Sequence, residues 1–137
     1  MHVIGAGVMG GDIAAWCVLR GLTVTLQDQT LERIVPALRR ANELFTKRLR
    51  DPLKIRDAND RLIPDVGGDG AAHADVVIEA IFESVEAKHA LFKAIEPKLK
   101  AGAVLATNTS SLQLEDLRTV LARPERLVGI HFFNPVA

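Results

Sequence analysis

Sulfur, charge imbalance and long apolar stretches are all scarce in this chain, and each scarcity removes a class of protein. The single cysteine, Cys17, has no partner for an internal disulfide. Set among apolar residues, it reads as a small core residue. Lysine plus arginine and aspartate plus glutamate both number 17, so no overall field favours nucleic acid or an anionic membrane. No apolar run approaches the roughly 20 residues that a membrane-spanning helix needs, and no signal peptide is visible. The expectation is a cytoplasmic chain with neither nucleic acid nor membrane as partner. Nothing in the sequence calls for a metal.

What is present suits a globular domain: 137 residues, 48% hydrophobic and 25% charged. That length fits about one domain, able to bury roughly two-thirds of its unfolded surface. Both ends read as cut. Met1 to Ile4 give a first strand barely any length, and Asn134-Pro135-Val136-Ala137 stop without a capping helix or polar tail. The expectation is a single domain excised from a longer protein.

The chain opens on Val3-Ile4-Gly5-Ala6-Gly7-Val8-Met9-Gly10, an apolar strand running into G-x-G-x-x-G with a helix-compatible run behind it. Strand, glycines and helix in that order are the context in which the spacing means dinucleotide binding. Gly5 permits the tight turn, Gly7 lets a pyrophosphate approach the backbone, and Gly10 lets helix pack on strand. The helix start then offers free N–H groups and a partial positive charge to phosphates.

Beyond the glycines, strand and helix signals alternate, which argues for an α/β fold with a parallel sheet and helices on both faces. A first helix is expected from about Met9 to Arg20, stopped by Gly21. The β-branched run Leu22 to Leu26 reads as a second strand, ending in Gln27-Asp28. Asp28 falls 18 positions after Gly10, close to the spacing of the carboxylate that accepts ribose hydroxyls. An aspartate there repels a 2′-phosphate, which favours NAD over NADP. The plainer alternative is a strand-end Asp before a helix that Thr30 and Glu32 would cap.

Leu31 to Arg50 reads as an amphipathic helix with Ile34, Leu38, Leu44, Phe45 and Leu49 inward, and Pro36 starting or kinking it. The basic run Lys47 to Arg56 reads as a solvated face, or else as a patch for substrate phosphates. Asp51 to Ala74 reads as irregular, broken by Pro52, Pro64, Gly67, Gly68 and Gly70, with a short strand about Leu62. Asp75 to Phe82 is an apolar strand buried on both faces, in which Glu79 needs partners. The next helix points Val85, Leu91, Phe92, Ile95 and Leu99 inward and leaves His89 at the surface. Ala103 to Ala106 is a strand opening into Thr107-Asn108-Thr109-Ser110-Ser111. Asp116 and Leu117 belong to a short helix. The last strand, Leu127 to Ile130, brings His131 to Pro135 to the same carboxyl edge, where ligands of parallel sheets sit.

Four segments, G-A-G-V-M-G, A-D-V-V-I-E-A-I-F-E, N-T-S-S-L and R-P-E-R-L-V-G-I-H-F-F-N-P, span nearly the whole chain. Together they resemble the NAD-binding domain of L-3-hydroxyacyl-CoA dehydrogenases. Their spacing is similar to that in the fused fatty-acid oxidation α-subunits, where a hydratase domain precedes this one. The resemblance implies a Rossmann-type sheet, NAD as cofactor and an acyl-CoA substrate, in β-oxidation or hydroxybutyryl-CoA metabolism. His131 matches the family's catalytic base, which takes the proton of the 3-hydroxyl while hydride leaves C3. An imidazole titrates near the working pH and suits that task. Ser110 and Asn134 match polar residues that hold the substrate oxygen and nicotinamide in line. Met9, Asp28, Ile81, Phe82, Glu83 and Lys88 fall on positions that line the cofactor.

The family also orients its histidine with a glutamate just after H-F-F-N-P, and completes its cleft and its dimer with a C-terminal helical domain. Neither is in this chain. The resemblance therefore implies an NAD-dependent dehydrogenase as parent, a homo-oligomer or part of a multifunctional complex, from which this domain alone binds NAD with little or no turnover. Two alternatives stay open: a 3-hydroxyacid dehydrogenase that does not use CoA, and a non-catalytic NAD-binding module. Residue by residue, Ser110 could be a helix N-cap, Asn134 a turn former before Pro135, and His131 a satisfied edge histidine.

Overall fold

Six short apolar runs become six parallel strands in one sheet. In the computed structural model, which describes residues 1–132, these are β1 (His2–Ile4), β2 (Val24–Gln27), β3 (Leu62–Pro64), β4 (Val76–Glu79), β5 (Val104–Asn108) and β6 (Leu127–Ile130). Their spatial order is β3-β2-β1-β4-β5-β6, so the sheet grows outward in both directions from β1 and β4. Ligands of open parallel sheets bind where the strand order reverses, beyond the carboxyl ends of the strands. Here that place lies between β1 and β4, which pair with Ile4 opposite Glu79.

The side-chain period of two divides the core between the faces. Val3, Val24, Leu26, Ile78 and Ala106 pack on one face against helix α1 (Val8–Leu19) and helix α2 (Leu31–Leu49). Ile4, Val77, Leu105 and Leu127 point to the other, against helix α4 (Val85–Ile95) and helix α5 (Leu114–Arg118). Helix α1 ends before Gly21, whose φ of +99° is the left-handed turn expected there. In α2 the hydroxyl of Thr30 caps the Arg33 amide at 3.3 Å. Pro36 lies within α2, which the flanking sequence carries through to Leu49. Of the five inward residues expected there, Ile34 and Phe45 are fully buried, while Leu38, Leu44 and Leu49 pack half-buried at the margin.

One stretch departs from the sequence reading. Residues 51–74 are not irregular: Pro52–Arg61 form helix α3, followed directly by β3. Pro52 is a starter, not a breaker, because it occupies the first turn, where its missing N–H has no helical partner to lose. The Asp51 carboxylate caps the Leu53 amide at 3.0 Å, a contact that contributes about 1 kcal/mol. Of the glycines that follow, Gly67 and Gly68 lead into a short 3-10 helix, Asp69–His73, which contains Gly70. Asp65 holds its start, the carboxylate accepting from the amides of Gly68, Asp69 and Gly70. Among the described residues no helix is long and apolar enough to cross a membrane.

Candidate functional site

The glycine turn is built by close backbone packing. Gly5 has a φ of +103°, and a Cβ there would stand 2.6 Å from the Ala80 carbonyl oxygen. A Cβ on Gly10 would stand 1.8 Å from the carbonyl oxygen of Gly5. Both absences are structural: they let α1 close on β1 and β1 close on β4. Gly7 is different, because a Cβ there would meet nothing within 4 Å. It lies exposed at the start of α1, so its bareness keeps space open in front of the helix end. That cradle is what a diphosphate requires.

A cleft of about 700 Å³ opens beside the turn, with Gly5, Gly7, Asp28, Ala80, Ile81 and Phe82 in its wall. The volume and the mixed lining suit a nucleotide-sized ligand. Asp28 stands at the end of β2. Its carboxylate accepts from the Ala6 amide at 2.9 Å and from the Gln29 amide at 2.7 Å. It caps no helix, since Thr30 does that, and it ties the glycine turn to the second strand. Phe82 is 73% exposed, an aromatic face open to whatever enters. Met9 lies half-buried on α1 against the core.

Toward β5 the site is held by a chain of charges. Glu79, the carboxylate conspicuous in its apolar strand, is fully buried and fully partnered. It accepts from Lys88 Nζ at 2.5 Å, from Thr107 Oγ1 at 2.5 Å and from the Ile81 amide at 2.8 Å. The Lys88 ammonium, also buried, lies 3.6 Å from a Glu83 carboxylate oxygen. Glu83 in turn accepts from the hydroxyls of Thr109 and Ser111, each at 2.7 Å. Partial burial pushes the Glu83 carboxyl up, but the two hydroxyls and Lys88 together outweigh it and hold the group below its ordinary value. The β4–α4 connection and the β5 loop are thereby joined around a negative charge.

Ser110 lies exposed in that β5 loop, and His131 lies exposed at the end of β6. Ser110 is not a helix N-cap, for α5 starts from Gln113. Asn134 lies outside the described residues. Asn108, unassigned in the sequence reading, accepts the Phe132 amide on its Oδ1 at 3.1 Å and so sets the backbone just after His131. Its signal was its place at the mouth of β5, opposite Ile130 in register. Thr107 was missed as a partner of Glu79, although the two face each other across β4 and β5. His89, expected at the surface, is half-buried and bonds the Asp116 carbonyl oxygen at 2.6 Å.

Sheet order, glycine turn and strand-end aspartate define a dinucleotide-binding domain of the Rossmann class. The sequence pattern described as "3-hydroxyacyl-CoA dehydrogenase, NAD binding domain" matches residues 1–137, and the chain belongs to that family. It is 38% identical over 138 residues to the fatty acid oxidation complex subunit alpha of Psychrobacter sp. (strain PRwf-1), covering 98% of this chain and 19% of that protein. The subunit alpha of Pseudomonas entomophila (strain L48) is 36% identical with the same coverage. Among solved structures, 3-hydroxybutyryl-CoA dehydrogenase from Escherichia coli K12 superposes with a TM-score of 0.92 at 34% identity, covering 98% of this chain and 29% of that one. The (S)-3-hydroxybutyryl-CoA dehydrogenase PaaH1 from Ralstonia eutropha gives 0.91 at 29% identity, covering 98% and 49%. The chain thus spans about a fifth of the curated relatives it matches.

Proposed function

We propose that this domain is the NAD-binding half of a dehydrogenase that oxidises L-3-hydroxyacyl-CoA to 3-oxoacyl-CoA. The observation that carries the reading is the arrangement of one sheet edge. The glycine turn and Asp28 flank the strand-order reversal, and His131 ends β6 two strands beyond β4 on the same carboxyl edge. A module that only bound dinucleotide would have no need of a histidine there. NAD, when bound, supplies the hydride acceptor. Asp28 would take the ribose hydroxyls, Gly7 and the start of α1 the diphosphate, and Glu83, Lys88, Ser110 and Asn134 the nicotinamide end. His131 would accept the proton of the substrate 3-hydroxyl as hydride departs from C3, so that the C–O bond becomes a carbonyl.

The acyl-CoA cleft, the residue that orients His131 and the oligomer contacts belong, on this reading, to a C-terminal helical domain beyond this chain. The domain by itself binds NAD and turns over little. The whole protein works in the cytoplasm, as a homo-oligomer or within a multifunctional oxidation complex.

Titration of the chain should show NAD binding well ahead of NADP, and Asp28→Ala should shrink that gap by removing the charge that repels a 2′-phosphate. In the full-length protein His131→Gln should lower kcat on a 3-hydroxyacyl-CoA by about 10²-fold or more while leaving NAD affinity intact. Undiminished turnover by that variant would remove His131 from the chemistry.

A further inference from the structure

Behind the glycine turn stands a charge pair that the assignment above does not use. Gly11 lies on the side of α1 that faces α2; a Cβ there would be 2.7 Å from the Ala37 Cβ and 3.0 Å from Arg40 Nη2. Its bareness lets the two helices approach and lays the Arg40 guanidinium along the first turns of α1. Nη2 donates to the Gly7 carbonyl at 3.3 Å, and Nε lies 3.6 Å from Asp12 Oδ1. Both contacts are long for charged groups, and the buried Nε hydrogen has no hydrogen-bond acceptor among the described residues. The guanidinium is held near the turn without being neutralised by a tight bond. The first turn of α1 carries no acidic side chain, and Asp12 comes just after it. A carboxylate so close to a helix start opposes the positive end of the dipole on which a phosphate would rest.

We infer that Arg40 is an electrostatic positioning residue for the cofactor diphosphate: it offsets Asp12 and places a fixed positive charge behind the glycine turn. The inference rests on the reading of that turn as the NAD site. Arg40 does not reach the ligand; it acts through the Gly7 peptide and through its field. Because the pair is partly exposed, that field is screened by salt.

The test is a set of NMR titrations of the chain with NAD and with adenosine, each at low salt and at about 0.5 M salt. Arg40→Met should weaken NAD about three- to tenfold at low salt, with a smaller loss at high salt and no change for adenosine. Arg40→Lys, which keeps the charge, should recover most of the affinity. Asp12→Asn should tighten NAD about twofold or more, an outcome that a merely structural pair would not give. The inference is overturned if Arg40→Met weakens adenosine as much as NAD, or if Asp12→Asn fails to tighten NAD. If Arg40→Met does not fold, the Asp12→Asn arm alone decides. Failure of the unaltered chain to bind NAD at all would instead overturn the cofactor reading.

Discussion

Gly7 and Gly10 belong to one glycine motif, yet their substitution should give opposite results. Gly10→Ala drives a methyl into the Gly5 carbonyl, where nothing flexible can yield, and should prevent the native fold or cost several kcal/mol. Gly7→Ala adds a methyl to open space at an ordinary negative φ, so its melting temperature should stay within a few degrees of the parent. Its NAD affinity should nevertheless fall at least tenfold, because the methyl occupies the approach of the diphosphate. Loss of stability without loss of binding in Gly7→Ala would contradict this division. The spacing of the motif and the division of labour within it were both legible in the sequence, and the close approach at Gly10 with open space at Gly7 agrees with that division. What was not legible is the partner of Gly5, whose missing Cβ makes room for the carbonyl of Ala80, a residue far along the chain.

His2 likewise depends on residues distant in sequence. It reads as a strand residue, and its partners come from elsewhere: Thr25 Oγ1 at 2.6 Å, Gln27 Oε1 at 2.8 Å and Asp65 at 3.8 Å. Burial disfavours the imidazolium and pulls the His2 pKa below its ordinary 6.5, outweighing Gln27 and Asp65, which push it up. On acidification the unfolded chain therefore takes up the proton first. The stability that the neutral ring lends is complete above pH 6.5 and is lost as pH falls toward the lower folded value. Melting temperature should be flat in this respect from pH 8 to 7 and decline toward pH 5. His2→Leu should flatten that decline, whatever it does to the plateau. The Glu83 contribution runs in a separate window: it is present above that group's ordinary 4.5 and is lost below it.

At the scale of elements, α4 is the helix with most at stake in its charges. Lys88 reaches into the sheet to Glu79, and the two are buried together. Lys88→Met leaves the Glu79 carboxylate without its cation and should destabilise the domain by about 3–5 kcal/mol in chemical denaturation. The double change Lys88→Met, Glu79→Gln removes the stranded charge and should restore a large part of that loss. Equal losses in the single and double variants would mean that the pair is not coupled. Glu79 could be flagged from sequence as a carboxylate in an apolar strand. Lys88 could not be read as buried, since the resemblance placed it on the cofactor and its partner Glu79 lies on another element. Helix α3 was illegible for another reason: its proline was read as a break, when position within the first turn reverses the meaning of that residue.

For the molecule as a whole, alternating strand and helix signals were enough to give the parallel sheet and the edge that carries the site. They did not give the strand order, because no local feature says that β1 lies between β2 and β4. That placement has a consequence in time. Residues 2–10 are made before the rest of this domain, but Ile4 accepts its bond from the Ala80 amide, and Gly5 is shaped against the Ala80 carbonyl. The turn that would hold the diphosphate is thus synthesised ahead of the rest of the domain and finished only after some 70 further residues have followed it out. Stalled nascent chains of increasing length should show protease protection of the first strand only once β4 and α4 have emerged. Until then the first strand of the site has only β2 to pair with, and its other edge stays open.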